Sequence, residues 1–221
     1  MCGRYSLVAK PSKVEQRFHA SFSQSPAELF YNAAPSQGLP VITASAPERL
    51  QLFSWGLLPF WAKDGIKTRR SINARAETIA EKPSFRQLIG RKRCLVVADG
   101  FYEWKLNQSA KEPYRLLLQE EGLFAFAGLW DEWVNKETGE VLATFAIITT
   151  EANELVRPIH DRMPVILPPE KEEQWLADSL TLEEHLALLR PFPAEGMKAY
   201  PVSTLVNFPK NNVSEVMAPL S

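Results

Sequence analysis

Between residues 93 and 149 the chain is a succession of short apolar runs separated by turn formers. Runs at 93 to 98, 101 to 105, 113 to 119, 123 to 130 and 141 to 149 are rich in β-branched and aromatic residues. Asp99-Gly100, Glu121-Gly122 and Thr138-Gly139 fall between them. That punctuation predicts a dense β region. Residues 39 to 45 and 49 to 55 read as earlier strands, and 162 to 167 and 197 to 203 as later ones. Helical periodicity is confined to short stretches. Val14, Phe18 and Phe22 recur at a spacing of four behind Ser12-Lys13-Val14-Glu15, a capping-box pattern that predicts a short helix. Ser84-Phe85-Arg86-Gln87 repeats the pattern and predicts a helix ending near Gly90. Further helices are predicted at 151 to 156, stopped by Pro158, at 169 to 177, and at 181 to 190, the last opened by Thr181-Leu182-Glu183-Glu184.

Strands and long helices do not alternate regularly, which argues against a doubly wound parallel sheet. The pattern predicts an α+β fold with mostly antiparallel strands. A chain of 221 residues is long enough for one well-cored domain, and no shift in composition marks a boundary. The 17 prolines favour many short elements, because proline interrupts helices and central strands.

The formal net charge of −1 means that bulk electrostatics do not point to nucleic acid. Any such binding needs a local basic face, for which Lys67, Arg69 and Arg70, or Arg91, Lys92 and Arg93, are candidates. Runs this short read more readily as solvated loop charges. No apolar run approaches the roughly 18 residues of a membrane span, and MCGRYSLVAK lacks the basic-then-apolar pattern of a secretory signal. A cytoplasmic location follows as the expectation, with no membrane partner. Two cysteines and three histidines make no metal-ligand spacing, so neither a metal nor a cofactor is expected. Cys94 lies in the apolar run Cys94-Leu95-Val96-Val97-Ala98 and reads as a core residue. His19 and His185 fall in predicted helices and read as structural or surface residues.

Cys2 differs from Cys94 because removal of Met1 would expose it as a new N-terminus. It would then present an α-amine of pKa about 8 beside a thiol of pKa about 8.5. Such a pair attacks aldehydes: the amine forms a Schiff base and the thiol closes a five-membered thiazolidine, with a large proximity gain. A thiol attacking an amide is the other chemistry open to it. Position alone distinguishes neither from a cysteine that simply follows the start codon. In Ala98-Asp99-Gly100-Phe101-Tyr102-Glu103-Trp104, a carboxylate stands among aromatics. Apolar surroundings raise a carboxyl pKa and suit a general acid. The bland alternative is a surface Glu103 on an alternating strand. His160, in His160-Asp161-Arg162-Met163-Pro164, could steady a developing charge or cap the preceding helix. In residues 71 to 78, Asn73 could bond a substrate hydroxyl and Arg75 a phosphate; alternatively Asn73 makes a turn and Arg75 pairs with Glu77. Pro59-Phe60-Trp61 offers aromatic surface for stacking a base, or simply core.

These segments together resemble the SRAP family, the SOS response-associated peptidase proteins, also described as abasic-site processing or shielding proteins. The matching segments are MCGRY at 1–5, YNAAP at 31–35, WGLLPFW at 55–61, INARAET at 72–78, ADGFYEW at 98–104 and HDRMPVIL at 160–167, with VSTLVN at 202–207 similar to the closing region. They stand in family order across most of the chain. The resemblance implies one domain over residues 1–221 with a branched, partly barrel-like β-sheet flanked by short helices. It implies a monomer in the DNA-damage response that binds an abasic site in single-stranded DNA or at a single-strand/double-strand junction, and is nucleoid-associated when bound. Cys2 matches the nucleophile that forms the thiazolidine crosslink, Asn73 the amide that orients the sugar, Glu103 the acid/base and His160 the active-site histidine. Arg4, Arg75 and Arg162 would contact phosphates, and Trp61 would act as a wedge or base stack. An associated abasic-site lyase activity is implied, and "peptidase" is read as removal of the protein's own Met1. A cysteine-dependent peptidase or amidase acting on other substrates is the competing class. The sequence departs from the family pattern at Tyr5, where Phe is usual, and at Ala33, where Val is more common. Ile66 to Arg70 do not align, so the resemblance assigns no DNA role to Arg69 or Arg70.

Overall fold

The computed structural model describes residues 2–63, 68–107 and 110–220, and Lys67 lies outside them. In chain order the elements are β1 (Tyr5–Leu7), α1 (Pro11–Phe18), β2 (Ser21–Phe22), β3 (Phe30–Ala33), β4 (Gly38–Thr43), β5 (Ala46–Trp55), β6 (Asn73–Arg75) and β7 (Arg93–Ala98). There follow β8 (Gly100–Asn107), β9 (Ala110–Leu118), β10 (Phe124–Val134), β11 (Val141–Glu151), β12 (Arg162–Pro164) and β13 (Ile166–Leu167). The chain ends with α2 (Pro169–Leu176), α3 (Leu182–Ala187), β14 (Met197–Pro201) and short 3-10 turns.

The longer strands close on themselves. β11, β10, β7, β4 and β5 are hydrogen-bonded in that order, and β5 pairs back to β11, in parallel, at Ser54↔Thr144 and Trp55↔Phe145. Closure removes open edges from the strands carrying most of the core. The sheet branches where β13 adds to β10, and where β6 and β12 add to the far end of β11. A second, antiparallel sheet runs β14-β9-β8-β1-β3. Apolar strand faces explain the packing between them: Tyr5, Trp55, Phe101, Phe126 and Phe145 are all fully buried. Tyr5 sits 5.2 Å from Trp55 and 5.8 Å from Phe126, ring centre to ring centre. This is the expected α+β fold with a partly barrel-like, branched, mostly antiparallel sheet. No helix among the described residues is long and apolar enough to cross a membrane.

Several predicted elements differ. α1 starts at Pro11, with Lys10 rather than Ser12 as its N-cap, and ends at Phe18 because His19 turns left-handed at φ 50°. Phe22 therefore lies in β2. Residues 82–92 form successive turns instead of a helix; the Lys82 carbonyl accepts from Phe85 and Arg86, both at 2.9 Å. Lys10-Pro11 and Lys82-Pro83 share a cause: proline has its φ preset and no N–H to cap, so the turn starts there and the serine falls inside it. Residues 151–156 are not helical either. β11 runs to Glu151, and the Asn153 side chain then caps the Val156 N–H at 2.9 Å. The strand at 162–167 divides at Val165 between two neighbours, β11 and β10. α3 has the expected capping box of Thr181 and Glu184. His185 is buried against the Thr181 and Ala177 carbonyls, and His19 is exposed.

The basic run before β7 is largely structural. Arg93 is fully buried and donates to the Ile89, Trp175 and Ala177 carbonyls and to Asp178. Lys92 lies 3.9 Å over the Trp130 ring and pairs with Glu132 at 3.2 Å. The Tyr5 hydroxyl is buried with no hydrogen-bond partner among the described residues. A buried, unpaired hydroxyl costs about 1–3 kcal/mol. Tyr5→Phe is therefore expected to hold or raise stability, by about 1 kcal/mol. Urea unfolding measures this, and a clear loss of stability would contradict it.

Candidate active site

β1 is an interior strand, with Tyr5 opposite Phe101 of β8 on one side and Ala33 of β3 on the other. Three residues upstream, Cys2 is fully buried in the chain that carries Met1. Its carbonyl accepts a 2.8 Å hydrogen bond from Asn73 Nδ2, and its Sγ lies 3.7 Å from the Arg4 carbonyl. Burial pushes the Cys2 thiol well above its usual range; the nearby Glu103 carboxylate adds to this, and hydrogen bonding from the Arg4 backbone works against it.

Glu103 is not the surface residue that strand alternation allows: it is 2% exposed, on β8 opposite Tyr114. Burial raises its carboxyl above the usual range, as its aromatic setting predicts, and the charge of His160 opposes the shift. Glu103 and His160 share one open groove of about 710 Å³, walled also by Trp104, Leu106, Ile159 and Asn207. His160 Nδ1 accepts the Arg162 backbone N–H at 2.9 Å, which leaves Nε2 to carry the proton of the neutral ring. Asn73, Cys2, Glu103 and His160 thus converge from four separate segments. The Asn73 Oδ1 is buried without a partner among the described residues, an acceptor available to a hydroxyl or amine.

The other expected residues fall in three settings. Arg4 is turned onto the chain itself: Nη1 donates to Asn32 Oδ1 at 2.9 Å and to the Val206 carbonyl at 2.7 Å. Arg162 makes a two-pronged contact with Glu77, at 2.8 and 3.0 Å, and donates to the Thr149 carbonyl at 2.7 Å. Arg75 does not make the pair with Glu77 that its spacing allowed; it is exposed on β6. Phe60 and Trp61 are 58% and 54% exposed, so this aromatic pair is surface and not core.

A family model described as SOS response associated peptidase (SRAP) matches residues 1–209. The chain belongs to the SRAP family. It is 47% identical to the abasic site processing protein YoqW of Bacillus subtilis, over 98% of this chain and 99% of that one. It is 34% identical to the abasic site processing protein HMCES of Gallus gallus, over 86% and 66%. Among solved structures, a Bacteroides thetaiotaomicron protein superposes with a TM-score of 0.93 at 37% identity, covering both chains completely.

This SRAP chain also uses residues to which its sequence motifs gave no role. Asn32, in the YNAAP segment, accepts from Arg4 and donates to the Val206, Phe208 and Asn211 carbonyls. Trp104 Nε1 donates to Asn207 Oδ1 at 2.7 Å. Together they seal the C-terminal segment against the groove. Asp131, buried on β10, accepts the Phe60 N–H at 3.0 Å, and Trp133 Nε1 donates to the Ala62 carbonyl at 2.7 Å. These two contacts brace the loop that exposes Phe60 and Trp61. A carboxylate inside the apolar run 124–131 was the available signal for Asp131.

With both thiols buried and shifted upward, a SRAP chain that retains Met1 is expected to be inert to a thiol reagent at pH 8, because the thiolate is the reactive form. Titration with Ellman's reagent checks this: two thiols should appear only on denaturation, and rapid native labelling would contradict the burial described.

Proposed function

We propose that this protein processes abasic sites in DNA by forming a covalent thiazolidine between Cys2, freed by removal of Met1, and the C1′ aldehyde of the abasic sugar. The observation that carries this reading is the Asn73–Cys2 contact, which holds the second residue of the chain near Glu103, itself on a groove shared with His160. Its 47%-identical relative carries the name abasic site processing protein, which supports the same substrate.

The abasic sugar is mostly a closed hemiacetal. Glu103, whose carboxyl is raised above the usual range by burial, assists opening by moving the C1′ hydroxyl proton toward O4′. His160 Nε2–H and the Asn73 side chain hold the opened sugar. The Cys2 amine adds to the aldehyde, and the carbinolamine loses water to give an imine. The Cys2 sulfur then adds to the imine carbon while its proton passes to nitrogen. One C–N and one C–S bond form, one water leaves, and no oxidant or reductant is consumed. The imine acidifies the C2′ protons and invites β-elimination of the 3′ phosphate, so strand cleavage is the side reaction that ring closure suppresses. Single-stranded DNA or a junction is the fitting substrate, with Trp61 stacking an unpaired base and Arg75 on the backbone. Arg4 reaches a phosphate through the N–H groups its internal contacts leave, whereas the fork of Arg162 is taken by Glu77.

Incubating the protein with uracil-containing single-stranded DNA and a uracil glycosylase should give a slow-migrating band that survives denaturing electrophoresis. Cys2→Ala should lose it; a heat-stable adduct from that variant would overturn the thiazolidine. Glu103→Gln should slow formation or reversal by about a hundredfold, as for loss of a general acid–base. Unchanged rates in both directions would remove Glu103 from the mechanism.

A further inference from the structure

We propose that Glu77 is a positioning residue for this reaction: by gripping Arg162 it straps the strand that carries Asn73 to the strand that follows His160. The proposal rests on the crosslinking function above and deepens it.

The need for a strap comes from the topology. β6 and β12 are three residues long and lie on opposite sides of β11, where Thr149 pairs with Arg75 of one and Pro164 of the other. Among the described residues neither strand pairs with any but β11. Ladders this short fix position weakly, yet Asn73 opens β6 and His160 stands two residues before β12. Arg162 spans the gap. Its Nη2 donates to the Thr149 carbonyl of the intervening strand at 2.7 Å, and both its Nη atoms continue to Glu77, in the 3-10 turn Ala76–Thr78 that follows β6. The backbone N–H of the same residue holds His160 Nδ1 at 2.9 Å. A continuous set of contacts therefore runs from the Cys2 carbonyl through Asn73, along β6 to Glu77, and through Arg162 to His160.

The donors of Arg162 favour this role over phosphate capture. Its planar fork is occupied by Glu77, one of those nitrogens also serves Thr149, and Nε is buried with no partner among the described residues. Two-pronged recognition of a phosphate would require the same edge. The Arg162 side chain is only 15% exposed, whereas Arg75 is exposed. Arg162, and to a smaller extent Arg75, hold the Glu77 carboxyl below the usual carboxylate range, which keeps the strap charged at neutral pH.

The test compares wild-type protein with Glu77→Gln, Glu77→Ala and Arg162→Lys. Each is given abasic single-stranded DNA over a concentration series, at a temperature where all are folded. A misplaced active-site group lowers the rate of the bound complex, by about tenfold to a hundredfold for shifts near 1 Å. The maximal crosslinking rate should fall in that range for Glu77→Ala and Arg162→Lys, because lysine cannot span Thr149 and both carboxylate oxygens. Glu77→Gln, which keeps one acceptor, should lie between them and wild type. The DNA concentration at half-maximal rate should stay within about twofold, since the strap acts on the bound state. An unchanged maximal rate in Glu77→Ala overturns the proposal. So does a change confined to half-saturation: a rise would make the pair a phosphate contact, and a fall would make Glu77 a competitor of phosphate. Wild-type protein that formed no adduct would instead overturn the crosslinking function, and the strap with it.

Discussion

The hydrogen bond from Asn73 Nδ2 to the Cys2 carbonyl ties residue 2 to β6, and it can form because Cys2 is buried inside the fold. First residues are usually loosely held. Here β1 has a hydrogen-bonded neighbour on each side, and Tyr5 is locked among Trp55, Phe101 and Phe126. Residue 2 therefore has almost no freedom of its own. Arg4 strengthens the constraint by fastening β1 to Asn32 and to the C-terminal turn. An N-terminal nucleophile needs this, because the proximity gain of its chemistry disappears if the terminus is mobile.

Burial sets the electrostatics that follow. It raises the Cys2 thiol and the Glu103 carboxyl together, and each charge would further disfavour the other. The arrangement suits a sequence in which the nitrogen reacts first, a proton donor is close by, and the sulfur adds last to an electrophile already in place. A free thiolate is not needed in the resting protein. Glu103 borders the open groove, with Trp104 and Ile159 on its walls, while Cys2 is fully buried behind it.

The fold class followed from local pattern, but the pairing did not. Asp99-Gly100 and Glu121-Gly122 stand where one strand gives way to the next, although Gly100 itself opens β8, and both carry the chain from one sheet to the other. The Thr138-Gly139 turn alone joins neighbours, β10 and β11. β8 and β9 pair directly, with no glycine between them to signal it. Strands β1, β3 and β6 were not apparent because they have three or four residues each and take their shape from partners distant in sequence. Cap patterns misled where proline stood one residue earlier, at Pro11 and Pro83. At the site, residue types announced Cys2, Asn73, Glu103 and His160, but nothing local could show that Glu103 is buried or that Arg4 and Arg162 are held by the protein itself. Those are tertiary facts, and they change what each side chain is free to do.

The central claim is that the reactive unit is the whole aminothiol of residue 2. The most direct measurement is the mass and thiol reactivity of the purified adduct with an abasic oligonucleotide. The account predicts the mass of the chain without Met1 plus the oligonucleotide less one water, with only Cys94 open to alkylation after denaturation. An adduct that retains Met1, or one whose Cys2 thiol is still alkylated, would contradict it.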